Sequence, residues 1–253
     1  MSERLDVRLV GTGLARSRGE ARELIDGGAV LIDGRPALKA AQHVSPDARV
    51  EIAPGSRPRW VGRAAGKLDA AFAAFGPDGL RAAGRRCLDV GASTGGFTQV
   101  LLERGAAHVV ALDVGHGQLH ARLRSDPRVV LRERVNARLL TREDVPEPCA
   151  LLVADVSFIS LRLVLPAAVP LLSPGAEAVL LVKPQFESER GEVGRGGIVR
   201  EPGVRSRALA RVVSAAEALG LSPLGTVESP ITGADGNVEL LAGFRKGAGT
   251  TSG

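Results

Sequence analysis

Cys87-Leu-Asp-Val-Gly-Ala-Ser-Thr-Gly-Gly-Phe97, followed by Val109-Val-Ala-Leu-Asp113, is the stretch that decides the fold. Cys87 to Val90 reads as a buried strand and the glycines as a tight loop. Thr98 to Arg104 then opens as a helix, and Val109 to Asp113 is a second strand. Strand, glycine loop, helix and strand form a βαβ unit, which requires a parallel sheet covered by helices. Glycine lets the backbone approach a ligand closely, and a helix start favours negative charge. Asp113 lies 22 residues after Gly91, where an acid holds a pair of ribose hydroxyls.

The loop does not fit the dinucleotide fingerprint. Counted as G-x-G-x-x-G from Gly91, it has Ser93 at the second glycine and reaches Gly96 only as the second of a pair. A pyrophosphate is therefore disfavoured. A ligand with a carboxylate and a ribose on opposite sides of the loop suits it better, and S-adenosylmethionine has that shape.

Further strand ends point at the same rim. Val129-Val-Leu131 runs toward Glu133 and Asn136, a residue that either caps a turn or reads an adenine edge. Leu151-Leu-Val-Ala-Asp155 is apolar and ends in an acid, and Ala178-Val-Leu-Leu-Val-Lys183-Pro184 ends in a lysine before a proline that stops pairing. Ligands in open α/β sheets bind beyond the carboxyl ends of the strands. The last strands are expected over Gly225–Ser229 and Asn237–Phe244. If they close as a hairpin, the last runs antiparallel between the fifth and sixth, which brings Glu239 near Lys183 and Asp155. Lys67, at the start of a helix with Leu68, Ala71, Phe72 and Phe75 on one face, is expected to join them.

Only four of the 33 basic residues are lysines, Lys39, Lys67, Lys183 and Lys246. Arginine stays charged in proteins, whereas lysine can give up a proton. A rim lysine taken singly is more often half of a surface salt bridge, but two of four at one rim weakens that reading. Lysine is a poor base until burial or another cation lowers its pKa. Such a site suits deprotonation of a hydroxyl whose oxygen then attacks a methyl group in line. The other chemistries fit less well. Asp155 is followed by Val-Ser-Phe-Ile-Ser160, not by the Pro-Pro-aromatic loop that holds a base nitrogen. Cys87 lies within a strand and Cys149 before one, so covalent attack on a pyrimidine carbon is not expected.

The formal charge is +5, and residues 1–67 hold 12 lysines and arginines against 8 acids, so most of the excess sits there. Leu5, Leu9, Val10 and Leu14 keep a helical spacing. Ser17-Arg-Gly-Glu20 is a capping box for a second helix, ended at Gly27-Gly28. Ala29–Ile32, an Asp33-Gly34 turn and a return strand make a hairpin, and Val50–Ile52 adds a short strand. Arg16, Arg18 and Arg22 cluster at the second helix start, with Arg35 beyond the turn, and nucleic-acid phosphate is their expected target. Arg4-Leu-Asp, Leu14-Ala-Arg-Ser-Arg18, Leu24-Ile and Gly34 resemble the alpha-L RNA-binding domain, which adds Arg4 to the expected RNA contacts.

The chain is thus expected to be α/β, a Rossmann-like seven-stranded mixed sheet with helices on both faces, preceded by a small α+β module. The expected boundaries are 1–53 for the RNA-binding module, 54–63 for a linker with Trp60 as anchor, 64–246 for the body, and 247–253 for a disordered tail. Residues 186–200, rich in glycine, are expected to form a mobile substrate loop. Two cysteines lack metal-ligand spacing, so no metal is expected. The longest apolar run, Leu163–Leu172, contains Pro166 and Pro170 and falls short of the roughly 20 residues of a spanning helix. With no signal peptide, the chain is expected to be cytoplasmic and free of membrane.

Gly91-Ala-Ser-Thr-Gly-Gly-Phe97, Asp155-Val-Ser-Phe-Ile-Ser160, Leu181-Val-Lys-Pro-Gln-Phe-Glu187 and Gly236-Asn-Val-Glu239 together resemble the TlyA-type family. The resemblance implies a class I methyltransferase body and transfer of methyl from S-adenosylmethionine to a cytidine ribose 2′-hydroxyl. It also implies 16S and 23S ribosomal RNA, as ribosomal subunits, for a partner, and a link to capreomycin sensitivity. Its catalytic tetrad falls on Lys67, Asp155, Lys183 and Glu239. Its cofactor site falls on the Gly91–Phe97 loop and Asp113. With strand and rim neighbours the expected set is Asp89, Gly91, Ser93, Thr94, Gly95, Gly96, Phe97, Asp113, Asn136 and Asp155. One departure is Pro58, flanked by Arg57 and Arg59, where the family carries arginine. The family's haemolysin label finds no spanning segment here. A non-catalytic ribosome-assembly factor is the alternative that the four intact tetrad residues oppose.

Overall fold

The computed structural model describes every residue except 1, 27, 56–59, 190, 234–235 and 249–253, and leaves the side chains of Glu23, Asp26 and Arg195 undescribed. Linker residues Arg57, Pro58 and Arg59 and most of the expected tail lie outside the described residues. The chain divides into two compact units, residues 1–60 and 61–253.

In the first unit β1 (Glu3–Arg4) leads into α1 (Leu5–Gly11), and α2 (Arg18–Asp26) follows. The hairpin β2 (Val30–Ile32) and β3 (Arg35–Pro36), then β4 (His43–Val44) and β5 (Val50–Ile52), complete it. Asp33 (φ 49°) and Gly34 (φ 76°) both sit in the left-handed region, as a two-residue hairpin turn requires. The strands form two small antiparallel sheets, β3-β2-β5 and β1-β4; the second, two residues per strand, is too short for its sequence to announce. Leu5, Leu9, Ala21, Leu24, Ile25 and Val30 form the buried core. The capping box forms by half. The Glu20 amide donates to Ser17 Oγ at 3.2 Å, but the Glu20 carboxylate turns to the amide and guanidinium of Arg16.

The second unit opens with α3 (Ala64–Phe75) and then runs β6 (Arg86–Val90), α4 (Gly96–Glu103), β7 (His108–Asp113), α5 (Ala121–Arg124) and β8 (Val129–Glu133). It continues with β9 (Cys149–Ala154), α6 (Leu161–Ala168), β10 (Leu172–Val182), α7 (Pro184–Glu187), α8 (Pro202–Glu217), β11 (Leu221–Glu228) and β12 (Leu240–Lys246). The sheet order is β11-β12-β10-β9-β6-β7-β8. β12 is antiparallel to both neighbours and the other pairs are parallel, as the closing hairpin predicted. Some edges differ from expectation. α4 starts at Gly96 rather than Thr98, Cys149 begins β9 rather than preceding it, and Asn237 to Glu239 lead into β12 rather than forming its start.

Alternate strand residues divide between the faces. Leu88, Val110, Leu152, Leu180 and Phe244 pack with Leu161 and Leu165 of α6 and Val212 of α8. On the opposite face α3 lies across β12, its Phe75 ring seated over Gly243, where a Cβ would come within 2.9 Å. This packing fixes Lys67. Eight helical residues span about 12 Å and four strand residues about 13 Å, so Phe75 on Gly243 carries Lys67 to Glu239.

Candidate active site

Strand register builds the rim. Leu180 of β10 pairs with Ala154 of β9, and Val182 pairs with Leu240 of β12. Asp155, Lys183 and Glu239 are each the residue beyond a strand end, on three adjacent strands. Lys67 Nζ meets Glu239 Oε2 at 2.5 Å, with both side chains no more than 5% exposed. Lys183 Nζ lies 2.6 Å from Asp155 Oδ1 and donates to Ser157 Oγ at 2.8 Å. The four expected residues therefore come together as two ion pairs. Both lysines are buried, unlike Lys39 on the surface, while Lys246 donates to the carbonyls of Val169 and Leu172.

Beside these pairs a cavity of about 560 Å³ opens, the size of a nucleoside-bearing ligand site. Of the expected cofactor residues, Gly91, Ser93, Asp113, Asn136 and Asp155 line it. Asp89, Thr94, Gly95, Gly96 and Phe97 are not among its lining residues: Asp89 lies within β6, and the other four form the turn into α4. Gly91 (φ 87°) has no room for a Cβ, which would come 2.2 Å from the Asp155 carbonyl oxygen. That close approach, with the Asp155 amide donating to the Val90 carbonyl at 3.0 Å, locks the ends of β6 and β9 together.

Asp113 is held open side outward. Its Oδ2 accepts the Ser93 amide and its Oδ1 the Gly115 amide, both at 2.7 Å. Each oxygen keeps a lone pair, enough for two ribose hydroxyls. Asn136 does what its turn reading predicted, its Oδ1 accepting the Arg138 amide at 3.0 Å. Its exposed amide group also lines the cavity, so its two expected roles are compatible.

Asp89 is wholly buried, its Oδ2 accepting Thr98 Oγ1–H at 2.6 Å, while its Oδ1 accepts no hydrogen bond among the described residues. Burial pushes its carboxyl up to about 7 against the Thr98 hydrogen bond, with the charges of Asp155 and Asp113 adding to the rise. Cys87 and Cys149 are free and buried, and burial pushes their thiols up to about 12 and about 11. Both are neutral at pH 7 and unsuited to attack on a substrate carbon.

Several lining residues lay beyond sequence reasoning. Gln118 receives Ser93 Oγ–H at 3.2 Å from a stretch with no motif. Val114, Ser157 and Phe158 line the mouth, Phe158 with φ 63° and almost fully exposed.

The segment 186–200 is not the loose loop expected. Buried Glu187 accepts Ser160 Oγ–H and, at 2.6 Å, the Leu161 amide, which ties α7 to the start of α6. Burial raises its carboxyl pKa against those hydrogen bonds. Buried Asn237 receives the Val199 amide and donates to the Gly197 carbonyl, both at 2.9 Å, joining this segment to the approach to Glu239. Glu192 binds Arg207 and Arg211.

Of the expected RNA contacts, Arg4 and Arg18 pair with Asp6, Arg16 pairs with Glu20, and Arg22 is exposed. They are therefore not a free cluster of positive charge. Among the described residues no group of three or more metal-binding side chains comes together. No described helix is long and apolar enough to cross a membrane.

Comparison with known proteins adds to this geometry. Residues 60–246 match the FtsJ-like methyltransferase family, and residues 3–50 match the S4 domain. The chain is 53% identical to the 16S/23S rRNA (cytidine-2′-O)-methyltransferase TlyA of Mycobacterium tuberculosis H37Rv, over 96% of this chain and 89% of that protein. It is 39% identical to Hemolysin A of Brachyspira hyodysenteriae, over 95% of this chain and 99% of the relative. A solved structure described as a candidate hemolysin from Streptococcus thermophilus superposes with a TM-score of 0.76 at 38% identity, covering 97% of this chain and 89% of that one.

Proposed function

From membership of the FtsJ-like methyltransferase family and its TlyA branch, to which this chain belongs, we infer a ribosomal RNA ribose 2′-O-methyltransferase that uses S-adenosylmethionine and acts on cytidine. The observation that carries the reading is Lys183, whose Nζ forms an ion pair with Asp155 and donates to Ser157, two residues that also line the cavity. The proposed general base and the cavity are thus adjacent. We assign residues 1–53 to RNA docking, 54–63 to the linker and 64–246 to transfer, in the cytoplasm where ribosomal RNA is found.

The cavity fits the cofactor by its volume, by the lone pairs left on Asp113 and by the glycine turn at its floor. S-adenosylmethionine supplies an electrophilic methyl group when bound. Asp113 would hold the ribose, Asn136 the adenine edge, and the backbone of Gly91 and Ser93 the remainder. Lys183 Nζ, fixed from two sides, orients the target 2′-oxygen, and the amine, once it has released its own proton to solvent, takes up the hydroxyl proton as the oxygen attacks. Asp155 balances the charge left on the amine. Lys67 and Glu239 hold each other in place at the same rim, since neither can move without leaving the other's buried charge unpaired.

Replacing Lys183 tests the assignment. Lys183→Ala is expected to abolish tritiated methyl transfer to ribosomal subunits while S-adenosylmethionine still binds. Lys183→Arg keeps the pair with Asp155 but cannot give up a proton, so it too is expected to be inactive. Full activity in either variant refutes the role given to Lys183. A wild-type chain that binds subunits and transfers no methyl favours the assembly-factor reading.

A further inference from the structure

The basic residues of the N-terminal unit are organised around carboxylates. Asp6, on α1, is fully buried. Its Oδ1 accepts Arg4 Nε–H at 2.9 Å, and its Oδ2 accepts Arg4 Nη2–H at 3.0 Å. Oδ2 also accepts Arg18 Nη2–H at 2.9 Å and Nε–H at 3.1 Å. The arginines themselves stay open, with side chains 38% and 55% exposed. Each guanidinium gives its Nε–Nη2 edge to Asp6, and among the described residues neither Nη1 has a hydrogen-bond partner. Arg16 repeats the pattern, its Nε and Nη2 on the Glu20 carboxylate at 2.8 and 2.9 Å.

A buried carboxylate is costly unless compensated, and a stability role alone needs one buried partner, not two exposed ones. The Arg4 hydrogen bonds, then those of Arg18, hold the Asp6 carboxyl far below the usual carboxylate range, so it stays charged throughout the working pH. By charge alone Asp6 lowers the attraction of this surface for phosphate. By geometry it does the opposite, because it fixes two long, partly exposed side chains on one carboxylate, each with its Nη1 left over.

We propose that Asp6 is a positioning residue for RNA, holding Arg4 and Arg18 as one two-pronged receptor for backbone phosphate. The inference rests on the reading of this unit as the RNA-docking module. It predicts a counter-intuitive outcome: removing a negative charge from a basic, RNA-facing surface weakens binding to RNA. An amide at this position offers one acceptor and turns its NH2 toward a guanidinium, which breaks the fork.

The test measures binding of the full chain to purified ribosomal subunits over a salt series. Asp6→Asn is expected to weaken binding about tenfold, although it adds one positive charge. The variant Arg4→Lys/Arg18→Lys keeps the charge, loses the fork and is expected to weaken binding by a similar factor. Arg4→Ala/Arg18→Ala is expected to weaken binding further and to reduce the log–log salt slope by about 0.7–0.9 for each phosphate no longer neutralised. Adding Asp6→Asn to that background is expected to change nothing more. Unchanged or tighter binding by folded Asp6→Asn overturns the inference. Should that variant unfold the unit, wild-type binding by the double lysine variant overturns it instead. If the double alanine variant binds as the wild type does, the RNA-docking reading itself fails. If it weakens while Asp6→Asn does not, only the positioning role fails.

Discussion

Asp89 makes stability depend on pH in a direction opposite to that of most carboxylates. Its carboxyl is pushed from the ordinary 3.8 up to about 7 in the folded chain, first by burial and then by the charges of Asp155 and Asp113. Between these values the folded state binds a proton that the unfolded state has released. Stability from this residue is therefore fully present below about pH 4 and is lost as pH rises through about 7. Integrated from pH 5 to 8, the loss is about 3 kcal/mol. Asp89→Asn removes it, because an amide resembles the protonated carboxyl. Its oxygen still accepts Thr98 Oγ1–H, which now spans 2.6 Å to Oδ2, and no charge is buried. Thermal unfolding of both chains from pH 5 to 8 measures the difference. The variant's melting temperature is expected to gain on the wild type by about 6–12 °C across that range. Parallel pH curves for the two chains, with a constant gap, would refute the reasoning. Cofactor titration in the same samples reads the role of Oδ1. Weaker S-adenosylmethionine binding at unimpaired stability identifies it as an acceptor for the ligand, since Asp89 Oδ1, like Asp155 Oδ1, is buried and accepts no hydrogen bond among the described residues.

Two further outcomes follow from the same rim. Glu239→Gln leaves the buried Lys67 ammonium without its counter-charge and is expected to cost about 3–5 kcal/mol in denaturant unfolding, with loss of methyl transfer; a change under about 1 kcal/mol contradicts the burial of the pair. Gly91→Ala places a Cβ against the Asp155 carbonyl at a left-handed φ, so calorimetry should find S-adenosylmethionine binding lost and unfolding easier by at least about 1–3 kcal/mol.

The sheet was legible because its strands are apolar on both faces and separated by glycine turns, which sets their order as soon as the closing hairpin is placed. Asp155, Lys183 and Glu239 followed for the same reason, since a charged residue ending a buried strand has few places to go, whereas Lys67 comes from α3. Strand logic also explains which motif residues stay out of the cavity lining. Asp89 and the Thr94–Phe97 turn sit in the motif, but alternation sends Asp89 inward and the glycines lie under the cavity rather than in it. Sequence spacing gives position along the chain, not which side of the turn meets the ligand. Glu187, Asn237 and Gln118 carry no periodic signal, because their partners are backbone groups or side chains 25 to 40 residues away. The glycine content of 186–200 suggested mobility. Two buried side chains, one at each end of that segment, fasten it instead.

The division between arginine and lysine is the deepest of these lessons. At Arg4, Arg16 and Arg18 a carboxylate occupies one edge of the guanidinium and leaves a second set of donors outward, something the single ammonium of lysine cannot do as rigidly. At Lys67 and Lys183 the requirement is reversed. Each amine is buried and touches one carboxylate within 2.6 Å, and the role proposed for Lys183 requires a group that can give up its proton. Composition alone, 29 arginines to four lysines, marks where each kind of positive charge is needed. On the proposed function, forked, permanent charge serves an extended phosphate surface, and a compact amine serves a single oxygen.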